Sequence, residues 1–287
     1  MKLKNLFLGV GLSVLITGAI TGTIVVNKLD NRAMAMENQP SASKPKTDPN
    51  EVVTKEGIHL KMLNSIDNFD KAVGKFIYHS SSAGYEYEVS YNVKTRKNDY
   101  KSNVKMVSNK DSREVAYDGN NSVTIADNNS KSFRKYKVGK STDESQTYSN
   151  KKAKDRYKLD QNGEKVYERR LDPTYMDMAS LSLFPEDFAL GFLEDYNKWD
   201  IVSDKENING YDVVIIEGEL NPYYQMKHNV KSFKLWVEKN TGIVLQMEEY
   251  NQNGEATEFL KTKSIKINDT NQPVPDIIIP KDYKLDI

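Results

Sequence analysis

The sequence predicts an α+β protein, mostly antiparallel β, and three observations carry that expectation. In Tyr85-Glu86-Tyr87-Glu88-Val89-Ser90-Tyr91-Asn92-Val93-Lys94 apolar and polar residues change places at each step. An extended strand then carries Tyr85, Tyr87, Val89, Tyr91 and Val93 on one face, which must be covered, and the polar set on the other, which is wet. That division belongs to an antiparallel sheet solvated on one side. Second, further runs of this kind follow one another through short connectors such as Ser80-Ser81-Ser82, Asp118-Gly119-Asn120-Asn121 and Asp127-Asn128-Asn129, which are turn chemistry and imply a meander. Third, Lys239-Asn240-Thr241-Gly242 and Asn251-Gln252-Asn253-Gly254 place glycine where a hairpin wants positive φ.

Composition narrows the class. A chain of 287 residues suits one β-rich domain. Lys+Arg and Asp+Glu both number 41, for a net charge of +0, so no overall field steers the protein to nucleic acid or to an anionic membrane surface. Nucleic-acid binding is not expected. Hydrophobic residues make up 38% and charged residues 29%, polar for this size but enough for a core. There is no cysteine, which excludes disulfides, thiolate metal sites, cysteine nucleophiles and a lipid-modified amino-terminal cysteine. Any membrane anchor must be peptide. Scarce Arg beside plentiful Lys, Asn and Ile fits a bacterial chain of low genomic G+C.

Taken in order, Lys2 and Lys4 precede an uncharged run from Leu6 to Val26, long enough to cross a hydrocarbon core of about 30 Å. Ala33-Met34-Ala35 then offers the small-x-small pattern of a signal peptidase site. Residues 1–35 are thus a signal peptide or a transmembrane anchor, the run being longer than a usual signal core. Lys2 and Lys4 held inside leave the rest on the extracytoplasmic face; cleavage near Ala35 releases it as a secreted chain. Residues 36–53, with Pro40, Pro45 and Pro49 among polar residues, read as a flexible linker, and 54–287 as the folded domain.

Ile58, Met62, Leu63, Ile66 and Phe69 fall at helical spacing within 54–70. Strands are expected over 75–79, 84–94, 98–108, 112–117, 122–126 and 132–138. The Lys-rich stretch 139–167 reads as a long excursion or a helix. Tyr175, Met176, Met178, Leu181, Leu183 and Phe184 crowd together, and Pro185-Glu186-Asp187 opens a short helix through Phe188, Leu190, Phe192 and Leu193. After Trp199-Asp200-Ile201-Val202 and the Asn209-Gly210 turn, a second meander runs through 211–220, 232–238, 243–250 and 257–267. Ile277-Ile278-Ile279, between prolines, reads as an edge segment leaving the sheet.

Catalytic chemistry is sought without result. His59, His79 and His228 are the only histidines, and none stands at helical or hairpin spacing from a second histidine or a carboxylate cluster, so a structural role is expected and no metal site. No phosphate loop, nucleophile elbow or dinucleotide fingerprint occurs, so no cofactor is expected. Glu217 with Glu219, and Glu248-Glu249, are acids on strands with a wet face. An enzyme is not expected.

Three places in order, Ile66-Asp67-Asn68-Phe69 into Gly74-Lys75-Phe76-Ile77-Tyr78, then Tyr117-Asp118-Gly119-Asn120-Asn121 with Val123 and Ile125, then Phe233-Lys234-Leu235-Trp236-Val237 through Gly242 to Tyr250, carry a resemblance. The chain resembles the periplasmic lipoprotein carriers of the LolA and LolB type and the related RseB/MucB regulators. That resemblance implies a curved sheet or incomplete β-barrel wrapped around a few helices, non-enzymatic, with an apolar cavity for a lipid or the acyl chain of a lipoprotein. Its wall is expected from Tyr87, Val89, Tyr91, Val104, Met106, Leu235 and Met247. The alternative it implies is a regulatory module binding a membrane protein partner, such as an anti-sigma, sporulation or germination protein, through Tyr175, Met178, Phe184, Phe188 and Phe192. The chain lacks the lipobox cysteine of lipid-anchored relatives.

Overall fold

Turn chemistry and alternation build most of the architecture. The computed structural model describes residues 52–96, 99–120, 122–138, 155–163 and 165–286, all within the unit Ser41–Ile287. The expected leader or anchor and nearly all of the expected linker lie outside the described residues, among which no helix is long and apolar enough to cross a membrane.

The strands are β1 (Lys71–Ser80), β2 (Tyr85–Lys94), β3 (Lys101–Val107), β4 (Ser112–Tyr117), β5 (Ser122–Asp127), β6 (Ser132–Lys137), the separate pair β7 (Tyr157–Leu159) and β8 (Lys165–Tyr167), then β9 (Trp199–Ile208), β10 (Tyr211–Glu219), β11 (Ser232–Glu238), β12 (Val244–Tyr250), β13 (Ala256–Ile267) and β14 (Lys284–Leu285). One unclosed, curved, 12-stranded sheet has the order β14-β6-β5-β4-β3-β2-β1-β13-β12-β11-β10-β9. Every pairing is antiparallel except β14 with β6. Two meanders, β1 to β6 and β9 to β13, are therefore joined by β1 lying against β13, with Ala72 opposite Ile267 and Ser80 opposite Glu258. The edge strand β9 carries Asp200, Asp204, Lys205 and Glu206, charges that discourage pairing with another chain.

The helical layer is thin. α1 (Lys55–Leu63) starts where Thr54 Oγ1 accepts from Gly57 N, 3.1 Å, an N-cap satisfying one otherwise orphaned amide. It ends sooner than the apolar stripe suggests because Asn64 folds its Nδ2 back onto Leu60 O, 3.1 Å, and a 3-10 turn, Ser65–Asp67, follows. The stripe itself is buried: Ile58, Met62, Leu63, Ile66 and Phe69 are all within 4% exposure. A 3-10 turn (Asp177–Ala179), α2 (Ser180–Leu183), α3 (Glu186–Gly191) and α4 (Pro222–His228) complete the set.

Several expectations are corrected. The helix expected to bear Ile58, Met62, Ile66 and Phe69 and to cover the Tyr85–Val93 face is α1, which packs chiefly on α3 and on the hairpin at Gly242, whereas the 3-10 turn at Asp177–Ala179 lies on β2 and β3. At Gly242, with φ +80°, an added Cβ would meet Lys61 C at 2.3 Å, so glycine there serves both the turn and the approach of α1. Residues 277–279 form no strand; the terminal pairing comes from β14. Asn221 Oδ1 accepts from Tyr224 N, 3.1 Å, and Pro222 stands in the first turn, which explains why α4 interrupts the β10–β11 connection.

Candidate functional site

The register of the sheet lines up its covered face in cross-strand rows. One row runs Val104, Tyr91, Gly74, Ile265; the next Met106, Val89, Phe76; the next Tyr87, Tyr78, Leu260, Met247, Leu235, Ile216. The residues expected to line a cavity, Tyr87, Val89, Tyr91, Val104, Met106, Leu235 and Met247, thus share one face on three successive rows. All but the half-buried Tyr87 are within 3% exposure. Of the set expected to contact a partner, Met178, Phe184, Phe188 and Phe192 lie between 4% and 7% exposure in the same apolar cluster, and Tyr175 is half-buried against Tyr117, rings 5.2 Å apart. Sheet and helical layer therefore meet in one continuous interior, which also takes in Met62 and Met176.

Two hydroxyls mark that interior. Tyr87 Oη donates to Asp111 Oδ2, 2.9 Å. Tyr91 Oη lies over Gly74, where an added Cβ would come within 2.7 Å of it. It stands beside the Ser182 hydroxyl, whose own proton goes to Val244 O, 2.8 Å. Burial pushes the Tyr91 phenol up from its ordinary value, so it stays neutral.

Toward one end the interior turns polar. The row beyond Tyr78 reads Tyr85, Ser80, Glu258, Glu249, Phe233, Gly218. Glu258 Oε1 accepts from Ser80 Oγ (3.0 Å) and Ser82 Oγ (2.7 Å), and Oε2 lies 3.4 Å from Tyr78 Oη. Glu249 Oε2 is 2.8 Å from Nδ1 of His228 at the end of α4. That contact holds the imidazole above its ordinary value, while burial pushes the Glu249 carboxyl up. His228 therefore does adjoin carboxylates, contrary to the spacing-based expectation. The helix that carries it was not expected, and the two acids meet across the hairpin of β12 and β13, nine residues apart in sequence.

A second polar group clamps the helical layer. Arg156, fully buried just before β7, donates to Glu186 Oε1 (2.7 Å), Leu63 O (3.2 Å) and Asn64 Oδ1 (3.2 Å). Arg170 grips Asp67 with two bonds of 2.6 and 2.7 Å, and its amide donates to Glu186 Oε1, 2.9 Å. Burial pushes Glu186 up to about 7, against the pull of the Arg170 amide and the Arg156 guanidinium. His59 of α1 faces α3: its Nε2, 2.7 Å from Ala189 O, must carry the proton, so Nδ1 accepts from Tyr196 Oη, 3.1 Å. Burial drives this imidazole down to about 4.

No protein-family model and no curated protein matches the chain. Among solved structures it is similar to a chain in the Pseudomonas aeruginosa MucA/MucB complex, at 12% identity and TM-score 0.39, over 75% of this chain and 57% of that one. It is also similar to an uncharacterized conserved protein of Thermus thermophilus, at 9% identity and TM-score 0.40, over 78% and 96% of the two chains. The third is the Mycobacterium tuberculosis lipoprotein LppX, at 10% identity and TM-score 0.35, over 76% and 98%. The chain thus spans little more than half of the MucA/MucB chain it matches.

Proposed function

We propose that this chain is an extracytoplasmic, non-enzymatic binding protein that takes an apolar chain, such as the acyl chain of a lipid or lipoprotein, between its sheet and its helical layer. One observation carries the reading: an unclosed sheet is covered by short helical segments through an interior in which Met62, Met106, Met176, Met178 and Met247 all take part. Methionine is unbranched and adaptable, so this interior can re-form around a guest, whose burial contributes about 0.8 kcal/mol per methylene. In the structure the wall residues pack against their own cover, so uptake requires the helical layer to move outward. The uncharged run Leu6–Val26 provides the membrane attachment.

The test is lipid extraction and native mass spectrometry of full-length protein purified from its own membrane, followed by titration of the delipidated protein with a fluorescent fatty acid. The expected result is co-purified lipid, and saturable uptake that Val89→Trp blocks. Protein that carries no lipid and takes up no fatty acid overturns the reading. A second reading, docking of a membrane protein partner, has Tyr175 on its side: it is partly exposed with φ +53°, two residues before Asp177 at φ +42°, and backbone strain of this kind clusters at functional sites such as ligand clamps and switch regions. Crosslinking in intact membranes that Tyr175→Ala abolishes, with fatty-acid uptake absent, favours it.

A further inference from the structure

The polar end of the interior holds an arrangement that hydrophobic binding does not use. Glu249 and Glu258 stand directly opposite each other on β12 and β13, at 1% and 5% exposure. Like charges so placed repel, and buried carboxylates ordinarily have a matched partner. Elsewhere in the chain they do: Glu238 accepts from the amides of Asn240 (3.1 Å) and Thr241 (2.7 Å), and Glu186 has the guanidinium of Arg156. Glu258, among the described residues, is met only by hydroxyls, and Glu249 only by His228. Lys227, beside His228 in α4, lies over the rings of Tyr223 and Tyr224 at 5.8 Å, and its charge acts on Glu249 from there.

We infer that His228, Glu249 and Glu258 bind a divalent transition-metal ion of the zinc class. One ligand atom from each lies within 4.8 Å of the others. Ligands held about 2.0–2.2 Å from a tetrahedral ion are about 3.4 Å apart, a spacing inside the 4.8 Å that encloses these three atoms, and small side-chain adjustments supply three corners, the 2.8 Å His228–Glu249 contact opening as the ion replaces its proton. One imidazole with two carboxylates is a donor set for zinc or its neighbours rather than for magnesium or calcium, which take oxygen alone. The serine hydroxyls act as the outer shell: bonded to Oε1 of Glu258, they hold its carboxylate in position. His228 keeps 21% of its side chain exposed, which provides a way in and leaves the fourth corner to water. Since α4 buries none of its residues, the ion would also tie this helix to the sheet. Metal binding here does not depend on whether the apolar interior takes a lipid.

Untagged full-length protein, stripped with chelator, is titrated with Zn²⁺ by calorimetry, and in parallel with Co²⁺, whose visible spectrum reports ligand number and nitrogen ligation. We expect stoichiometric uptake of Zn²⁺ with a rise in Tm and a four-coordinate Co²⁺ spectrum. His228→Asn and Glu249→Gln should each weaken Zn²⁺ binding by about 10-fold or more. His79→Asn, which alters the other histidine–carboxylate pair (His79 Nδ1 to Glu86, 3.4 Å), should leave it unchanged. Failure to take up Zn²⁺ overturns the proposal; so does uptake that survives both site substitutions or is lost with His79→Asn. Should Glu249→Gln fail to fold, His228→Asn decides alone, because that side chain lies on a helix without buried residues.

Discussion

Two places in the described residues where glutamate is buried, the clamp and the polar end of the sheet, differ in what answers the carboxylate. At the clamp, Glu186 meets the guanidinium of Arg156 and the amide of Arg170, whose own guanidinium grips Asp67. At the polar end of the sheet, Glu249 and Glu258 meet one histidine and neutral hydroxyls. Burial is comparable: Glu186 and Glu258 are both 5% exposed. The difference lies in how the elements are joined. β12 and β13 are fixed by a hairpin and a backbone ladder and need no side-chain tie, whereas α1, α3 and the β7–β8 hairpin have no ladder between them and depend on Arg156 to hold them in register. A carboxylate pair placed where the backbone already guarantees the geometry is free to serve a ligand; one placed where it does not is structural.

Breaking the clamp should have the largest effect. Arg156→Met leaves Glu186 buried without its guanidinium and frees Leu63 O and Asn64, and should cost about 3–5 kcal/mol in urea unfolding. Adding Glu186→Leu should recover most of that loss, because an absent pair is tolerated far better than a half pair. A double variant no more stable than Arg156→Met would show that packing of the arginine, not its charge, holds the layer.

His59 shows how the same layer buries a titratable group whose partners among the described residues, Tyr196 and Ala189, are neutral. Its ordinary value of 6.5 falls to about 4 in the fold, so between those pH values the unfolded chain takes up a proton that the folded chain refuses. Stability therefore declines as pH drops from about 6.5 to about 4 and suffers no further loss from this group below that. The displacement corresponds to about 3 kcal/mol. His59→Gln, whose amide can still donate to Ala189 O, should flatten that acid limb by about this amount in urea titrations at successive pH values. An unchanged limb would mean that the imidazole is charged in the fold.

Much of this contrast is hidden from the sequence for a physical reason. Local chemistry is legible: the alternation of Tyr85–Val93 appears as a strand with that face covered, and Gly242 and Gly254 take the positive φ their turns require, +80° and +79°. So is the stripe of Ile58, Met62, Leu63, Ile66 and Phe69. Pairing of β1 with β13 is not, because it joins the first strand of one meander to the last of the other and depends on which edges remain when both have formed; Ser80 meets Glu258 only by that register. Arg156 sits in a Lys-rich stretch that looks wholly solvated, and nothing local marks it as fully buried. His228 had a signal that was available: Asn221-Pro222 is an N-cap followed by proline in the first turn, which places a helix before β11 and the histidine at its end. The expected cavity wall lies on the face that alternation indicates, but burial of its members depends on the helical layer, about which strand periodicity says nothing.

The smallest effect sharpens the comparison most. If the Glu249–Glu258 pair were structural, as Glu186 is, replacing one member would destabilise the metal-free protein. If it is a site held in readiness, relieving the repulsion should be neutral or favourable. In Glu258→Gln the amide oxygen can still accept from Ser80 and Ser82, while the new N–H can donate to Glu249 or to Tyr78 Oη, so no buried partner is orphaned. The pair of like charges facing each other across adjacent strands disappears. We expect the metal-free variant to gain between zero and about 1 kcal/mol at pH 7, the range of direct cross-strand interactions, in urea unfolding at fixed ionic strength. A loss of more than about 1 kcal/mol would place these acids in the same class as the clamp, with stability as their role.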